Sequence, residues 1–366
     1  MRAGIFAAAA ALAALSAGCG GGATAGAPGA KGTSVYVLGP GTNGVLTFNE
    51  NTSGALVPIQ GSSSAPTGSV PVSMAVHPSG KITFIANNAD GTITILARNT
   101  GNGVLSVPPL PTGTLNQPPP IMAGANPVAM SITPTGNFLY VLNQGSNNIS
   151  AFSVDVVNNT LNGIATVGTG LTNPQFMAVS PDSKTLYVSS PTGGSIASYT
   201  IGTDGKLSAT TISSVGGSPG FMVVDPQVRF LYFTNSTANS VRVFSLSGGA
   251  LTTEISGSPF PTGVNPSSLA INASASFLLC TNFGANNVSG FSISPSGTLT
   301  PVSGSPFATG VNPSFVVIDK TNTFVYVADQ GSNDVAAFAL NGTQLHSLVG
   351  APFGVGTSPT WISTAP

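Results

Sequence analysis

The chain has 366 residues, of which 41% are hydrophobic and only 5% charged, with a formal net charge of −1. No stretch concentrates Lys or Arg, and neutralising phosphates takes clustered cations, so nucleic acid is excluded as a partner. Gly (46) and Pro (29) are frequent, but β-branched and aromatic residues recur between them at fixed intervals, which reads as strands and turns rather than disorder.

The first residues predict export. Arg2 supplies a positive start, and Ile5 to Leu15 form an apolar run too short to span a bilayer. The run Leu15-Ser16-Ala17-Gly18-Cys19 resembles the bacterial lipobox, which directs cleavage before a lipidated cysteine. Ser16 stands where that motif usually has an aliphatic residue, so ordinary cleavage near Ala17 stays open beside lipidation of Cys19. The expected division is a lipoprotein-type signal peptide over 1–18, a flexible linker over 19–33 and one domain over 34–366. The expected location is the bacterial cell envelope, with the membrane reached through the lipid anchor alone. The other cysteine, Cys280, lies in Phe277-Leu278-Leu279-Cys280 and is expected to be a buried, inert thiol.

From Pro71 onward the chain repeats. Seven similar segments open at Pro71, Pro127, Pro174, Pro219, Pro266, Pro313 and Pro359, at intervals of 56, 47, 45, 47, 47 and 46 residues. Three residues after each proline stand Met74, Met130, Met177, Met222, Leu269, Val316 and Ile362. Thirteen after stand Phe84, Tyr140, Tyr187, Tyr232, Leu279 and Tyr326. Apolar residues return twenty-two and twenty-five after, as Ile149 and Phe152 do in the second unit. Each unit reads as four short strands, which is propeller geometry at this period.

The ends predict closure. Tyr36, Val45 and Phe48 fit three positions of a further unit whose inner strand is missing, because Gly20 to Gly29 has no apolar alternation. Pro359-Thr360-Trp361-Ile362-Ser363-Thr364 supplies that strand from the other terminus. The predicted fold is therefore all-β: a seven-bladed β-propeller of four-stranded blades, its first blade completed by the C-terminal strand. The proline-led loops and the turns between second and third strands share one end of the ring, here called the top. The chain enters near Ser34 at the bottom.

Two catalytic patterns dissolve into the repeat. Gly216-Gly217-Ser218-Pro219-Gly220 matches G-x-S-x-G, but proline has no N–H to offer an oxyanion, and the segment opens a blade. Gly39-Pro40-Gly41-Thr42-Asn43-Gly44 matches G-x-G-x-x-G, but a strand follows it where a helix is needed. The two histidines, His77 and His346, fall on an inner and an outer strand and should not share a site. Glu50 and Glu254, the only glutamates, read as lone surface charges near outer strands. No metal site and no cofactor is expected.

The run Gly304-Ser305-Pro306-Phe307-Ala308-Thr309-Gly310-Val311-Asn312-Pro313, followed by Phe324-Val325-Tyr326-Val327-Ala328 and Gly331-Ser332-Asn333-Asp334-Val335, resembles the propeller family of 6-phosphogluconolactonase-type lactonases. The resemblance covers about residues 34–366. It implies His and Arg beside the blade starts, near the channel mouth, in the family's enzymes. Here those positions read Val72-Ser73, Val128-Ala129, Gln175-Phe176, Gly220-Phe221, Ser267-Ser268, Ser314-Phe315 and Thr360-Trp361, so no catalytic residue carries over.

Asn87, Asn143, Asn235, Asn282 and Asp329 share the sixteenth position, where they either ring the channel or bond their own turns. Asn143, Asn282, Asp329, Gln175 and Trp361 are the candidate ligand-binding residues. The longest interval inserts about nine residues within Pro108 to Pro120, which is either a stiff surface loop or a recognition loop. The function expected is a monomeric, non-catalytic binding or scaffolding module for a glycan or a surface protein. A lactonase-like hydrolase is the alternative.

Overall fold

The computed structural model describes residues 33–39, 41, 43–59, 64–108, 120–356 and 358–365. The expected signal peptide over 1–18, Cys19 and the expected linker as far as residue 32 lie outside the described residues. So does the Pro-rich insertion, apart from Pro108 and Pro120 at its ends. Among the described residues every regular element is a strand.

Seven antiparallel sheets carry the fold, and each runs in chain order from its inner to its outer strand. The first blade is the exception, as expected. Trp361–Ala365 forms its inner strand, with Ser34–Gly39, Gly44–Glu50 and Leu56–Pro58 following outward. Ser34 pairs with Ala365, Val37 with Ile362 and Leu38 with Trp361. The Thr360 amide adds a hydrogen bond to the Leu38 carbonyl at 2.8 Å. The seventh blade is Pro313–Ile318, Phe324–Asp329, Asp334–Asn341 and Gln344–Ser347.

The repeat positions explain the packing. Met74, Met130, Met177, Met222, Leu269, Val316 and Ile362 are all 8% exposed or less. The second strands Ile82–Asn87, Phe230–Asn235, Phe277–Asn282 and Phe324–Asp329 are buried at every residue. A second strand has a neighbouring blade on each face, so it reads as a continuous apolar run instead of an alternating one. The apolar core accordingly divides into seven clusters, one at each blade interface. The closing interface is built like the rest: Val35, Val37, Phe48 and Ile362 of the first blade meet Phe324, Tyr326 and Val335 of the seventh.

The top loops are set by left-handed residues. Asn126, Asn173, Asn265 and Asn312, each just before a blade-opening proline, have φ between 50° and 54°. Asn tolerates this region better than most side chains. Two of these residues are also strapped to the preceding blade. The Asn265 amide donates to Asn239 Oδ1 at 2.8 Å, and the Asn312 amide to Asn286 Oδ1 at 2.9 Å.

Candidate ligand pocket at the channel mouth

The inner strands converge on a cavity of about 140 Å³ to which all seven blades contribute. Phe176, Phe221, Phe315 and Trp361 form its aromatic wall, and Met130 and Val72 are among the aliphatic residues that join them. Trp361 stacks on Phe315 with ring centroids 4.1 Å apart. Phe221 meets Phe315 edge-on at 5.3 Å and Phe176 at 6.0 Å. These four rings are half-buried.

The polar residues of the lining are already engaged. Ser267 Oγ donates to the Pro313 carbonyl at 2.9 Å, and Ser314 Oγ to the Pro359 carbonyl at 3.0 Å. These bonds stitch the sixth blade's inner strand to the seventh's and the seventh's to the first's, and Asn88 Nδ2, just after the second blade's second strand, bonds the Pro127 carbonyl of the third blade at 3.0 Å. The described lining contains no acid, base or cation. A general acid or base must reach the reacting atoms within hydrogen-bond distance, and a phosphorylated substrate calls for Arg or Lys. Neither is offered at this mouth.

Of the candidate residues, the structure brings Trp361 alone into this cavity. Gln175 sits beside it in sequence and is half-buried, with its main-chain amide bonded to the Ser189 carbonyl at 3.0 Å. Asn143, Asn282 and Asp329 are fully buried at the ends of their second strands and do not line the cavity. Asn143 Nδ2 donates to Asn148 Oδ1 at 2.9 Å and Ser150 Oγ at 3.0 Å, and Asn282 Nδ2 to Asn287 Oδ1 at 2.7 Å. Asn143 Nδ2 also reaches the Ala123 carbonyl at 3.2 Å, so these amides bond the next strand's side chains and the incoming loop rather than their own turn's backbone.

Other expectations are met or corrected. Cys280 is fully buried, and burial pushes its thiol pKa far up. His77 bonds Ser79 through Nδ1 at 2.7 Å, and burial lowers its pKa, while His346 is exposed on the outer strand of another blade. Glu254 is not a lone charge. Arg242 grips it through Nε at 2.8 Å and Nη2 at 2.5 Å, which holds its carboxyl below the usual range. Nor is Glu50 a plain surface charge. It is half-buried at the seventh-to-first interface, and burial together with the nearby charge of Asp319 pushes its pKa up to about 7. Sequence reading missed this group because Glu50 and Asp319 are 269 positions apart and meet only when the ring closes. Phe176, Phe221 and Phe315 could have been ranked as site residues, since all three stand two positions after a blade-opening proline.

The family model of the lactonase seven-bladed β-propeller matches residues 26–224, 159–261 and 222–363. The chain belongs to the lactonase family. Solved structures agree on the lactonase-family fold. A candidate 6-phosphogluconolactonase from Bacteroides uniformis superposes with a TM-score of 0.76 at 18% identity, covering 92% of this chain and 100% of that one. A periplasmic gluconolactonase from Pseudomonas aeruginosa gives 0.72 at 20% identity, covering 91% and 99%. Hydrazine synthase from Kuenenia stuttgartiensis gives 0.65 at 15% identity, covering 84% and 92%, so the same ring also occurs in a protein named for different chemistry. No curated protein matches the sequence.

Proposed function

We propose that this lactonase-family propeller is a non-catalytic binding module that takes a small, uncharged, largely apolar ligand at its channel mouth. The observation that carries the reading is the wall of Phe176, Phe221, Phe315 and Trp361, beside serine hydroxyls committed to main-chain carbonyls. A cavity of this kind favours groups that need no hydrogen-bond partner, because burying an unpaired polar group costs free energy. A dry apolar cavity of roughly this volume admits a molecule the size of benzene.

Family membership and the names of the similar structures favour a second reading, hydrolysis of sugar lactones of the 6-phosphogluconolactonase type. They support it better than they support binding, whereas the lining of the mouth supports binding. One assay separates the two. The purified protein should leave 6-phosphogluconolactone and gluconolactone to hydrolyse at their spontaneous rates. Turnover that co-purifies with the protein and disappears on heat denaturation would establish the hydrolase instead.

Export and anchoring belong to the same proposal and rest on the sequence of residues 1–19. Cys19→Ala should move the protein from the membrane fraction to the soluble one. Unchanged membrane association would remove the lipid anchor from the account.

A further inference from the structure

The turn between second and third strands follows one hydrogen-bonding plan in several blades, and the seventh departs from it by a single donor. In the second, third, fifth and sixth blades the residue ending the second strand is an amide, Asn87, Asn143, Asn235 or Asn282. In two of them the oxygen accepts the main-chain N–H of the incoming loop, Gly68 to Asn87 Oδ1 at 3.1 Å and Ser218 to Asn235 Oδ1 at 3.1 Å, whereas Asn143 Oδ1 and Asn282 Oδ1 have no partner. In three of them the nitrogen donates to the first residue of the third strand: Asn87 to Thr92 Oγ1 at 3.0 Å, Asn143 to Asn148 Oδ1 at 2.9 Å, and Asn282 to Asn287 Oδ1 at 2.7 Å.

The seventh blade has Asp329 at this position. Its Oδ2 accepts the Gly310 N–H at 3.0 Å and so takes the place of the amide oxygen. Its Oδ1 takes the place of the amide nitrogen and has no hydrogen-bond partner, in a side chain that is 0% exposed. Directly across the ladder stands Asp334, another acceptor, whose Oδ1 already accepts Ser332 Oγ at 3.0 Å. Ala336 occupies the place from which Ser150 and Ser289 serve the third and sixth blades. Two acceptor side chains therefore stand opposite each other across the ladder.

We propose that Asp329 carries a proton on Oδ1 and donates it to the Asp334 carboxylate, which makes this turn a proton-binding site that couples pH to the loop beside the channel mouth. A protonated carboxyl reproduces the amide's pattern of one acceptor and one donor. The groups facing Asp329 are Asp334 from the third strand, the Gly310 amide and Thr309 hydroxyl from the loop, and the Ala336 main chain. Asp334 is the one charge among them, and Pro313 opposite on the inner strand is not ionisable. Burial and the Asp334 charge raise the Asp329 pKa to about 7, against the opposing hydrogen bonds. Packing favours a proton over a hydrated cation. A methyl group on Gly310 would already lie 2.8 Å from both Asp329 Cβ and Asp334 Oδ1. The loop that Asp329 holds through Gly310 runs on through Pro313 to Ser314 and Phe315, so losing the proton reaches the cavity wall.

The test is infrared spectroscopy of the full chain on a Glu50→Gln background, which removes the other carboxyl raised to the same region. A protonated-carboxyl band should disappear as pH rises through about 7, and Asp329→Asn should abolish it. The same isosteric substitution restores the donor, so exchange of the Gly310 amide at alkaline pH should slow relative to the parent. Absence of the band, or a band that survives Asp329→Asn, would overturn the proposal. So would calcium stabilising the parent at alkaline pH but not the Asp329→Asn variant, since the site would then hold a cation.

Discussion

The Tyr326 hydroxyl donates a hydrogen bond of 2.8 Å to the Gly54 carbonyl, joining the seventh blade to the first across 272 positions of chain. The same bond recurs between other neighbours, from Tyr36 to Gly103 at 3.2 Å and from Tyr140 to Gly205 at 2.9 Å. In each pair a tyrosine of one second strand reaches the glycine before the outer strand of the next blade. These glycines have φ of 78° to 80°, a region L side chains rarely adopt. A Cβ on Gly54 would also sit 2.4 Å from the Phe324 ring.

Two substitutions separate the bond from the backbone. Tyr326→Phe removes one buried hydrogen bond and should cost about 0.5–1.5 kcal/mol. Gly54→Ala adds backbone strain and a clash with Phe324, and should cost more, about 2–4 kcal/mol. Urea unfolding of the two variants gives both values. Equal, negligible costs would mean that the closing interface does not depend on this contact.

Val70 is the residue before a blade-opening proline and has φ of 54°, where four other blades place Asn. A β-branched residue is strained in this region. Val70 is also partly exposed, so its side chain contributes little packing. Val70→Asn should stabilise the protein by about 0.5–2 kcal/mol, read as a higher melting temperature. A fall in melting temperature would show that the Val70 side chain does more than its exposure indicates.

Glu50 should make stability depend on pH. Its folded pKa is about 7 and its unfolded value about 4.3, so the folded state holds the proton more tightly. The stabilisation is complete below the unfolded value and is lost as pH rises through about 7. Glu50→Gln should therefore gain on the parent as pH rises and keep that gain at alkaline pH. Urea midpoints taken across this window check the sign. A parent that becomes more stable relative to Glu50→Gln over the same window would contradict the placement of Glu50.

The C-terminal strand should be indispensable. Ile362 is 1% exposed in the closing cluster, and Ile362→Ala should cost about 2–5 kcal/mol. Deleting residues 359–366 would also leave Ser34–Gly39 as an open edge, a template for aggregation. Size-exclusion chromatography should show soluble aggregate or none of the parent's species. An unchanged elution profile and melting curve would mean that the ring closes some other way.

The ring was legible in the sequence because blade positions are set by local spacing. Met74 to Ile362 and Phe84 to Tyr326 recur at fixed offsets from a proline, and each offset maps to one burial environment. The closure was legible for the same reason, since Tyr36, Val45 and Phe48 lack only an inner strand. The candidate site was harder to read. Trp361 could be chosen as an aromatic at a blade start, but its stacking on Phe315 depends on the width of the closed channel. The shared sixteenth position drew Asn143 and Asn282 into the candidate set, although a side chain repeated in most units usually serves the unit. Glu50 and Asp319 stayed hidden because no local pattern links residues on opposite sides of the closure.

The most direct test of the binding account uses the chain's single tryptophan, which stands in the wall of the proposed pocket. Trp361 fluorescence should change saturably on titration with a neutral aromatic compound the size of benzene, and Phe315→Ala should weaken that response at least tenfold. 6-Phosphogluconate, an anion, should leave the spectrum unchanged. A saturable response to the anion, with none to the neutral ring, would contradict the account and return the channel mouth to lactonase chemistry.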